Sequence, residues 1–267
     1  MTALAVRRRR AGGADFLPPL VVFVAVLVLW EVSFTILAVP VFLIPRPSVI
    51  WGSLQSEFPT LWKGVQYTAS EALGGLAVGV VLGTLAGLAA SRWATAQQTL
   101  VPLGTAMSAV PIIALAPIMI NWFGFESQMP RVAIVGLMTF FPVMVNTVRG
   151  LTSVDPAALE LMASYAASEG DVLRRLRVPS ALPYWFVALR IAVTLAVIGA
   201  VVGEFFGGPR YAIGIYVTDS AGNFRFENAW AAIVMACVLG IVLYLAAVAL
   251  ERLAMPWQHR REAAGAE

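Results

Sequence analysis

Six long apolar segments alternate with short polar ones along this chain. They cover residues 17–39, 70–90, 99–122, 131–148, 181–206 and 228–253. Each is close to the roughly 20 residues that a helix needs to cross the hydrocarbon core of a bilayer. Because lipid offers the backbone no hydrogen-bond partners, such segments must be helical or be sheltered by protein. The pattern predicts an all-α integral membrane protein with about six transmembrane helices.

The composition supports a protein whose surface lies largely in lipid. Of the 267 residues, 60% are hydrophobic and 12% are charged. A soluble domain carries about 25% charged residues, so a water-facing surface is excluded. The net charge of +3 does not indicate a nucleic-acid partner, because the charges are separated by membrane side.

Lysine and arginine predict the orientation. With six spans, both termini lie on one side, which holds twelve of these residues; the other side holds five, and Arg190 lies inside a span. Cytoplasmic loops are enriched in lysine and arginine, which places both termini and the loop of residues 149–180 in the cytoplasm. The twelve are Arg7, Arg8, Arg9, Arg10, Arg92, Arg149, Arg174, Arg175, Arg177, Arg252, Arg260 and Arg261, and the five are Arg46, Lys63, Arg131, Arg210 and Arg225.

The chain divides into three parts on this basis. Residues 1–67 would hold an N-terminal cytoplasmic tail, the first span and an outer amphipathic segment. Residues 68–255 would form the transmembrane core, and residues 256–267 a second cytoplasmic tail. The outer segment, residues 47–62, has tryptophans at helical spacing. It is typical either of a helix at the membrane surface or of an ordinary packed helix.

Small residues in the second span predict close helix packing. Gly75, Gly79, Gly83 and Gly87 fall at every fourth position and therefore form one stripe along the helix. Such stripes let two helix backbones approach closely where lipid supplies no hydrophobic driving force.

Prolines and charges inside the spans are candidates for a translocation path. Pro111 and Pro117 each remove a backbone donor from the third span, which indicates either a broken helix beside the path or a simple kink. Charged side chains inside spans are costly and often functional. Four such residues are present: Glu31, Glu71, Arg190 and Glu204.

The loop of residues 150–180 carries two helix-start signals. Asp155 before a proline is a good N-cap, and Ser168 with Asp171 three residues later approximates a capping box. Two short helices are therefore expected, and Pro179 and Pro183 should end the second before the fifth span. The exposed apolar face could bind a partner, or the loop could be a solvated connector.

This loop resembles the EAA loop of permease subunits of bacterial ABC importers. The matching segments read DPAALELMA at 155–163 and VPSALP at 178–183. Glu160 falls on the family's glutamate, whereas Leu161 and Met162 replace its alanines, Ala166 its glycine and Val178 its leucine. The resemblance also covers residues 45–48, 110–117, 122–125, 140–142, 145–150, 198–205, 251–253 and 256–257.

The resemblance implies a type I ABC importer permease fold with a cytoplasmic coupling helix. Two copies, expected to be identical, would pair in the bacterial inner membrane, contacting lipid, two ATPase subunits and an extracytoplasmic binding protein. The implied ATPase-docking residues are Asp155, Leu159, Glu160, Met162, Ala163, Ala166, Ser168 and Arg174. The path residues would be Pro111, Pro117, Asn146 and Glu204.

The subgroup that the chain resembles imports nitrate, sulfonates and taurine, and one branch imports the thiamine-precursor pyrimidine or riboflavin. That branch is favoured, with sulfonate, taurine and nitrate as close alternatives. The chain's single lysine, Lys63, is not part of a phosphate-binding loop, and no metal-ligand cluster or catalytic triad is present in the sequence. The chain is therefore expected to have no enzymatic activity and no cofactor, with ATP bound by a partner. The alternative is a secondary transporter with Glu31, Glu204 and Arg190 as an ion relay.

Overall fold

The computed structural model describes residues 17–256, and within that range every regular element is helical. The prediction of an all-α chain is confirmed. Arg7–Arg10, Trp257, Arg260 and Arg261 lie outside the described residues. The helices are α1 (Leu17–Ile36), α2 (Pro47–Ser56), α3 (Phe58–Ala90), α4 (Ala94–Met107), α5 (Ala116–Phe123), α6 (Met129–Thr152), α7 (Pro156–Ser164), α8 (Glu169–Val172), α9 (Val178–Glu204), α10 (Ile213–Gly222) and α11 (Phe226–Ala254).

Five helical stretches are long and apolar enough to cross a membrane. They are α1, α3, α6, the continuous stretch from α8 through α9, and α11. A sixth crossing is interrupted, because α4 and the segment Ile112–Phe123 meet at an angle of 74°. The prediction of about six spans is confirmed, but the third span is broken rather than continuous.

Helices α3, α6 and α9 form the centre of the bundle. A buried cluster of small and medium side chains, Ala72, Val135, Ala196 and Ala200, joins all three helices. Gly75 packs against Val135, and Gly87 against Thr147, so α3 and α6 run in parallel. Gly150 lies against Ala181 and Gly203 against Arg131, so α9 runs antiparallel to α6.

All four glycines of the predicted stripe face α6. A Cβ atom at Gly83 would lie 2.7 Å from the carbonyl oxygen of Phe140, and one at Gly87 would lie 2.6 Å from Cβ of Thr147. At Gly75 and Gly79 the added atom would overlap Val135 and Thr139. Since real Cβ atoms do not approach other atoms this closely, only glycine permits the observed helix separation.

This topology gives the bundle two ends. At one end, called the α10 end, lie α2, α10, the starts of α3, α6 and α11, and the end of α9. At the other end, called the α7 end, lie α7, the ends of α3, α6 and α11, and the start of α9. A hydrogen bond of 2.6 Å from Ser53 to Asn228 joins α2 to α11 at the α10 end. Six crossings place both Leu17 and Ala254 at the α7 end.

The segment predicted to lie at the outer surface is divided between two helices. Only residues 47–56 form the short helix α2, whereas Phe58 and Trp62 belong to the first turns of α3, where their rings stack at 6.2 Å. Residue 67, predicted to separate two parts of the chain, lies within α3. The sequence did not predict that α3 is continuous from residue 58, because the polar residues between 55 and 70 interrupt the apolar pattern. The sequence alone does not show which of these polar residues are covered by protein.

The fifth span begins earlier than predicted. Pro179 and Pro183 do not end a helix, since the helix is unbroken from Glu169 to Glu204. A π-helical turn, Leu173–Arg177, directly precedes Pro179. The wider turn changes the hydrogen-bond pattern where proline supplies no N–H, which lets the helix continue.

Candidate functional site

Helix α7 projects from the α7 end and has no buried residue. Asp155 begins it, with its Oδ1 accepting a hydrogen bond of 3.0 Å from the N–H of Ala157. Pro156 follows at the first helical position, where a missing N–H has no cost. Glu160 is exposed, and Leu161 is 58% exposed. The helix therefore presents a carboxylate and apolar side chains together on an uncovered surface.

Helix α7 ends in a Schellman motif, in which two N–H groups turn back to the last carbonyls. The N–H of Ala166 donates to the carbonyl of Ala163 at 2.9 Å, and that of Ala167 donates to Met162 at 3.1 Å. Ala166 has φ +52°, in the left-handed region that glycine adopts most readily. The left-handed backbone at Ala166 therefore gives a conformational reason for the glycine that the resemblance assigns to this position.

Helix α8 begins at a second cap. The Oγ of Ser168 accepts a hydrogen bond of 3.2 Å from the N–H of Asp171 and donates one of 2.7 Å to the Asp171 carboxylate. Arg175 lies 3.3 Å from the same carboxylate. The hydrogen bond from Ser168, and secondarily the charge of Arg175, hold the pKa of Asp171 below its usual value. Asp171 therefore keeps its charge at neutral pH and stabilises the start of this helix.

The structure brings the predicted docking residues together in one short projecting segment. Leu159 and Met162 are half-buried, and the other six are exposed. Those six are Asp155, Glu160, Ala163, Ala166, Ser168 and Arg174. Their position is consistent with a surface that a separate subunit could cover.

A cavity of about 210 Å³ lies where the third crossing breaks. Pro111 lines it from the break, Met138 and Pro142 from α6, and Leu195 from α9. Ser108 contributes a hydroxyl group, and none of the lining side chains is charged. Broken helices at membrane depth commonly border a substrate path, because their backbone groups need a wet or protein-covered environment.

Two other predicted path residues have different surroundings. Asn146 lies one turn beyond Pro142 on α6 and donates to the Pro142 carbonyl at 2.8 Å. Pro117 is exposed in the first turn of α5 and is not among the residues that line the cavity.

Glu204 lies away from this cavity, in a buried polar cluster at the α10 end. Its Oε1 accepts a hydrogen bond of 2.7 Å from Thr68, and its Oε2 one of 2.6 Å from the N–H of Gly214. The side chain is wholly buried. Glu204 therefore joins α3, α9 and α10, and it is not among the residues that line the cavity beside Pro111.

Arg131 and Glu71 belong to the same cluster, although the sequence placed Arg131 among the cations of the outer side. They form an ion pair of 2.7 Å with neither side chain exposed. Arg131 also donates to the carbonyl of Gly207 at 3.1 Å and to the hydroxyl of Tyr67 at 3.0 Å. The sequence did not predict a role for Tyr67 or Thr68, because their partners Arg131 and Glu204 lie 64 and 136 residues away in the chain.

The remaining charges in the spans do not form a relay with Glu204. Glu31 accepts hydrogen bonds from the backbone N–H and the hydroxyl of Ser48, at 2.9 and 2.7 Å. Arg190 lies 3.2 Å from Glu251 of α11. Each of the three predicted relay residues therefore has its own partner on a different pair of elements.

Residues 79–256 match the profile of the family described as "binding-protein-dependent transport system inner membrane component". The chain belongs to this family. The match includes α7, the broken third crossing and most of the helices that form the bundle. This permease assignment agrees with the resemblance found in the loop of residues 150–180.

Similar curated proteins extend the comparison to nearly the whole permease. The formylaminopyrimidine transport permease ThiX of Halalkalibacterium halodurans is 34% identical over 92% of this chain and 97% of its own. The riboflavin transport permease RibX of Chloroflexus aurantiacus is 33% identical over 89% of each chain. The taurine transport permease TauC of Escherichia coli is 28% identical over 85% of this chain and 84% of its own.

Solved structures identify the fold. A chain of the inward-facing MetNI methionine ABC transporter superposes with a TM-score of 0.63 and 16% identity, covering 74% of this permease and 97% of that chain. An amino acid ABC transporter gives a TM-score of 0.57 at 14% identity, covering 75% and 95%. The fold is that of a type I ABC importer permease, and the chain is the permease subunit of such an importer.

Proposed function

We propose that two copies of this permease form the translocation path for a small, uncharged heteroaromatic compound, a formylaminopyrimidine or riboflavin. An extracytoplasmic binding protein delivers the compound, and two cytoplasmic ATPase subunits supply the energy. The permease itself needs no cofactor, because ATP is bound by the partner subunits. Sulfonate, taurine and nitrate are the alternative substrates.

The exposure of helix α7 supports the proposal that separate ATPase subunits bind to the permease. A nine-residue helix with no buried residue is marginal alone and gains stability by docking. Its Asp155 cap, its Schellman motif and the Ser168 cap fix the shape of the segment before any partner arrives. A preformed surface of this kind suits a subunit that must transmit force through it.

The proposed substrate class rests on the relatives and on the cavity. The two relatives above 30% identity described here are named for formylaminopyrimidine and riboflavin. The cavity beside Pro111 offers apolar side chains and the Ser108 hydroxyl group, with no cation to bind a sulfonate or nitrate. Such a lining suits a planar ring with a few polar groups better than a small anion.

The proposed orientation places the α7 end in the cytoplasm. Arg131, counted above with the opposite side, is wholly buried in an ion pair and does not face water there. The remaining cations of the α10 end are Arg46, Lys63, Arg210 and Arg225, which increases the difference between the sides. The positive-inside preference therefore favours cytoplasmic termini.

Uptake by the reconstituted importer tests the proposal. Proteoliposomes with the permease, its ATPase and its binding protein should accumulate the pyrimidine or riboflavin only with ATP. Uptake of taurine alone would refute the substrate class, and uptake by the permease alone on an ion gradient would refute the ATP-driven mechanism.

Charge reversal on α7 tests the docking surface separately. Glu160→Arg should abolish ATP-driven uptake and reduce ATPase co-purification, because the charge facing the docked subunit reverses. Glu126→Arg is the matched control, because Glu126 is also exposed but precedes α6 at the α10 end, and this variant should retain ATPase binding. Equal ATPase recovery with both variants would show that α7 is not the docking surface.

A further inference from the structure

The buried polar cluster at the α10 end contains two carboxyl groups but only one basic group. Its ionisable members are Tyr67 and Glu71 of α3, Arg131 of α6 and Glu204 of α9. Glu71, Arg131 and Glu204 each have no exposed surface. Helix α10 contributes only backbone N–H groups, and Tyr211 packs its ring against Tyr67 at 5.6 Å.

The charges of this cluster cannot all be present at once without a large cost. Arg131 carries one positive charge and stays ionised, whereas two ionised carboxylates would leave the cluster with a net charge of −1. A buried charge without a counter-ion costs several kcal/mol in a protein, and more where lipid surrounds it. Two neighbouring carboxyl groups commonly avoid this cost by holding one proton between them.

The hydrogen bonds indicate which carboxyl group carries the proton. Glu71 is the partner of Arg131, with Nε donating to its Oε1 at 2.7 Å, and so it is the ionised member. Among residues 17–256, no cation lies within ion-pair distance of Glu204, which accepts hydrogen bonds only from the neutral donors Thr68 and Gly214.

One acceptor in the cluster is vacant. Glu71 Oε2 is a buried oxygen with no hydrogen-bond partner assigned among the described residues. Thr68, which donates to Glu204, lies three residues before Glu71 in α3 and therefore shares its helix face, so the carboxyl groups of Glu204 and Glu71 are neighbours. A protonated Glu204 would supply the donor that this oxygen lacks.

We propose that Glu204 and Glu71 hold a single proton, carried by Glu204 and donated to Glu71 Oε2, so that the cluster with Arg131 is electrically neutral. Glu204 thereby acts as a neutral positioning residue: it holds the start of α10 through Gly214 and the side of α3 through Thr68. This assignment does not depend on the substrate or on the identity of the ATPase.

Infrared difference spectra of the purified transporter in lipid test the proposal directly. A protonated carboxylic acid has a carbonyl stretch that is separate from the bands of ionised carboxylates. This stretch should be lost in Glu204→Gln at neutral pH. The matched control is Glu31→Gln, because Glu31 lies on α1 outside the cluster and accepts its hydrogen bonds from Ser48, so this substitution should leave the stretch in place.

Removal of Glu71 provides a second arm. In Glu71→Gln, Glu204 becomes the only counter-ion available to Arg131 and should ionise, so the same stretch should also be lost although Glu204 is still present. A stretch that survives Glu204→Gln would overturn the proposal, as would one that survives Glu71→Gln.

The thermal stability of the variants should depend on the net charge that each substitution leaves in the cluster. Glu204→Gln keeps both a donor and an acceptor, so the assembled transporter should unfold thermally within a few degrees of the parent. The double variant Glu71→Gln/Glu204→Gln leaves Arg131 buried without a counter-ion, and its loss should exceed the sum of the two single losses. Strictly additive losses would contradict the shared proton.

Discussion

Replacing Ala166 with glycine should make helix α7 more stable. Ala166 occupies the position after the C-cap of α7 with φ +52°. In this left-handed conformation the Cβ of an L-residue crowds the following carbonyl oxygen, and glycine has no Cβ. Ala166 is exposed, so the substitution removes no packed side chain from a neighbour.

The expected gain is modest and can be calculated. The left-handed conformation costs a non-glycine residue about 1–2 kcal/mol. Glycine loses about 0.4–1 kcal/mol of this advantage, because the unfolded chain gains conformational freedom. The net stabilisation is about 0.5–1 kcal/mol, which corresponds to a roughly two- to fivefold smaller population of the frayed end of α7.

Amide hydrogen exchange of the purified permease measures this population. The N–H groups of Ala166 and Ala167, which close the Schellman motif, should exchange about two to five times more slowly in Ala166→Gly. Ala163→Gly is the matched control, because it places glycine in a right-handed position of the same helix. There glycine costs about 1 kcal/mol, so exchange should become faster.

The two variants must therefore change the exchange rate in opposite directions. If Ala166→Gly accelerates exchange as Ala163→Gly does, Ala166 does not adopt the left-handed conformation, and the account of the family's glycine given above is wrong. Unchanged exchange would mean that α7 ends before Ala166 in solution.

Three further substitutions test other parts of the structure. Gly83→Ala should destabilise the permease by about 1–3 kcal/mol through overpacking against α6. Gly74→Ala should be nearly neutral, because its added Cβ would lie 3.5 Å from Val132. Thermal unfolding in detergent compares the two variants. Asp155→Ala should cost α7 about 1 kcal/mol and accelerate exchange in its first turn, and Asp155→Asn should not. Glu31→Ala should detach α1 from α2, detected as faster proteolysis between them, whereas equal cleavage rates would show that the bonds to Ser48 are dispensable.

Local signals in the sequence predicted local structure well. Asp155 and Ser168 are N-caps as expected, because a cap depends on hydrogen bonds to residues two or three positions away. The glycine stripe of α3 likewise faces a neighbouring helix, since its regular spacing directly reports one helix face.

Features that depend on distant residues were not predictable. Glu204 was predicted to lie on the path because it is a charge inside a span, and no local pattern indicated that Thr68 and Gly214 would bind its two oxygens. Arg131 looked like an outer-loop cation because it starts an apolar run, whereas Glu71 pairs with it in the interior. In both cases the partner lies more than 50 residues away or on another element.

Prolines were the least reliable guide. Pro111 does coincide with a sharp break in the third crossing, but Pro179 and Pro183 lie inside an uninterrupted helix. The difference follows from the preceding turn, since the π-helical segment before Pro179 accommodates the missing donor.

The unbroken helix from Glu169 to Glu204 has a mechanical consequence. Its 36 residues would form a rod about 54 Å long at the usual rise per residue. The rod begins in the segment where a motor subunit is proposed to dock and ends at Glu204. A tilt imposed at the docked end would therefore be carried along one continuous helix to Glu204, whose hydrogen bond to Gly214 connects it to the start of α10.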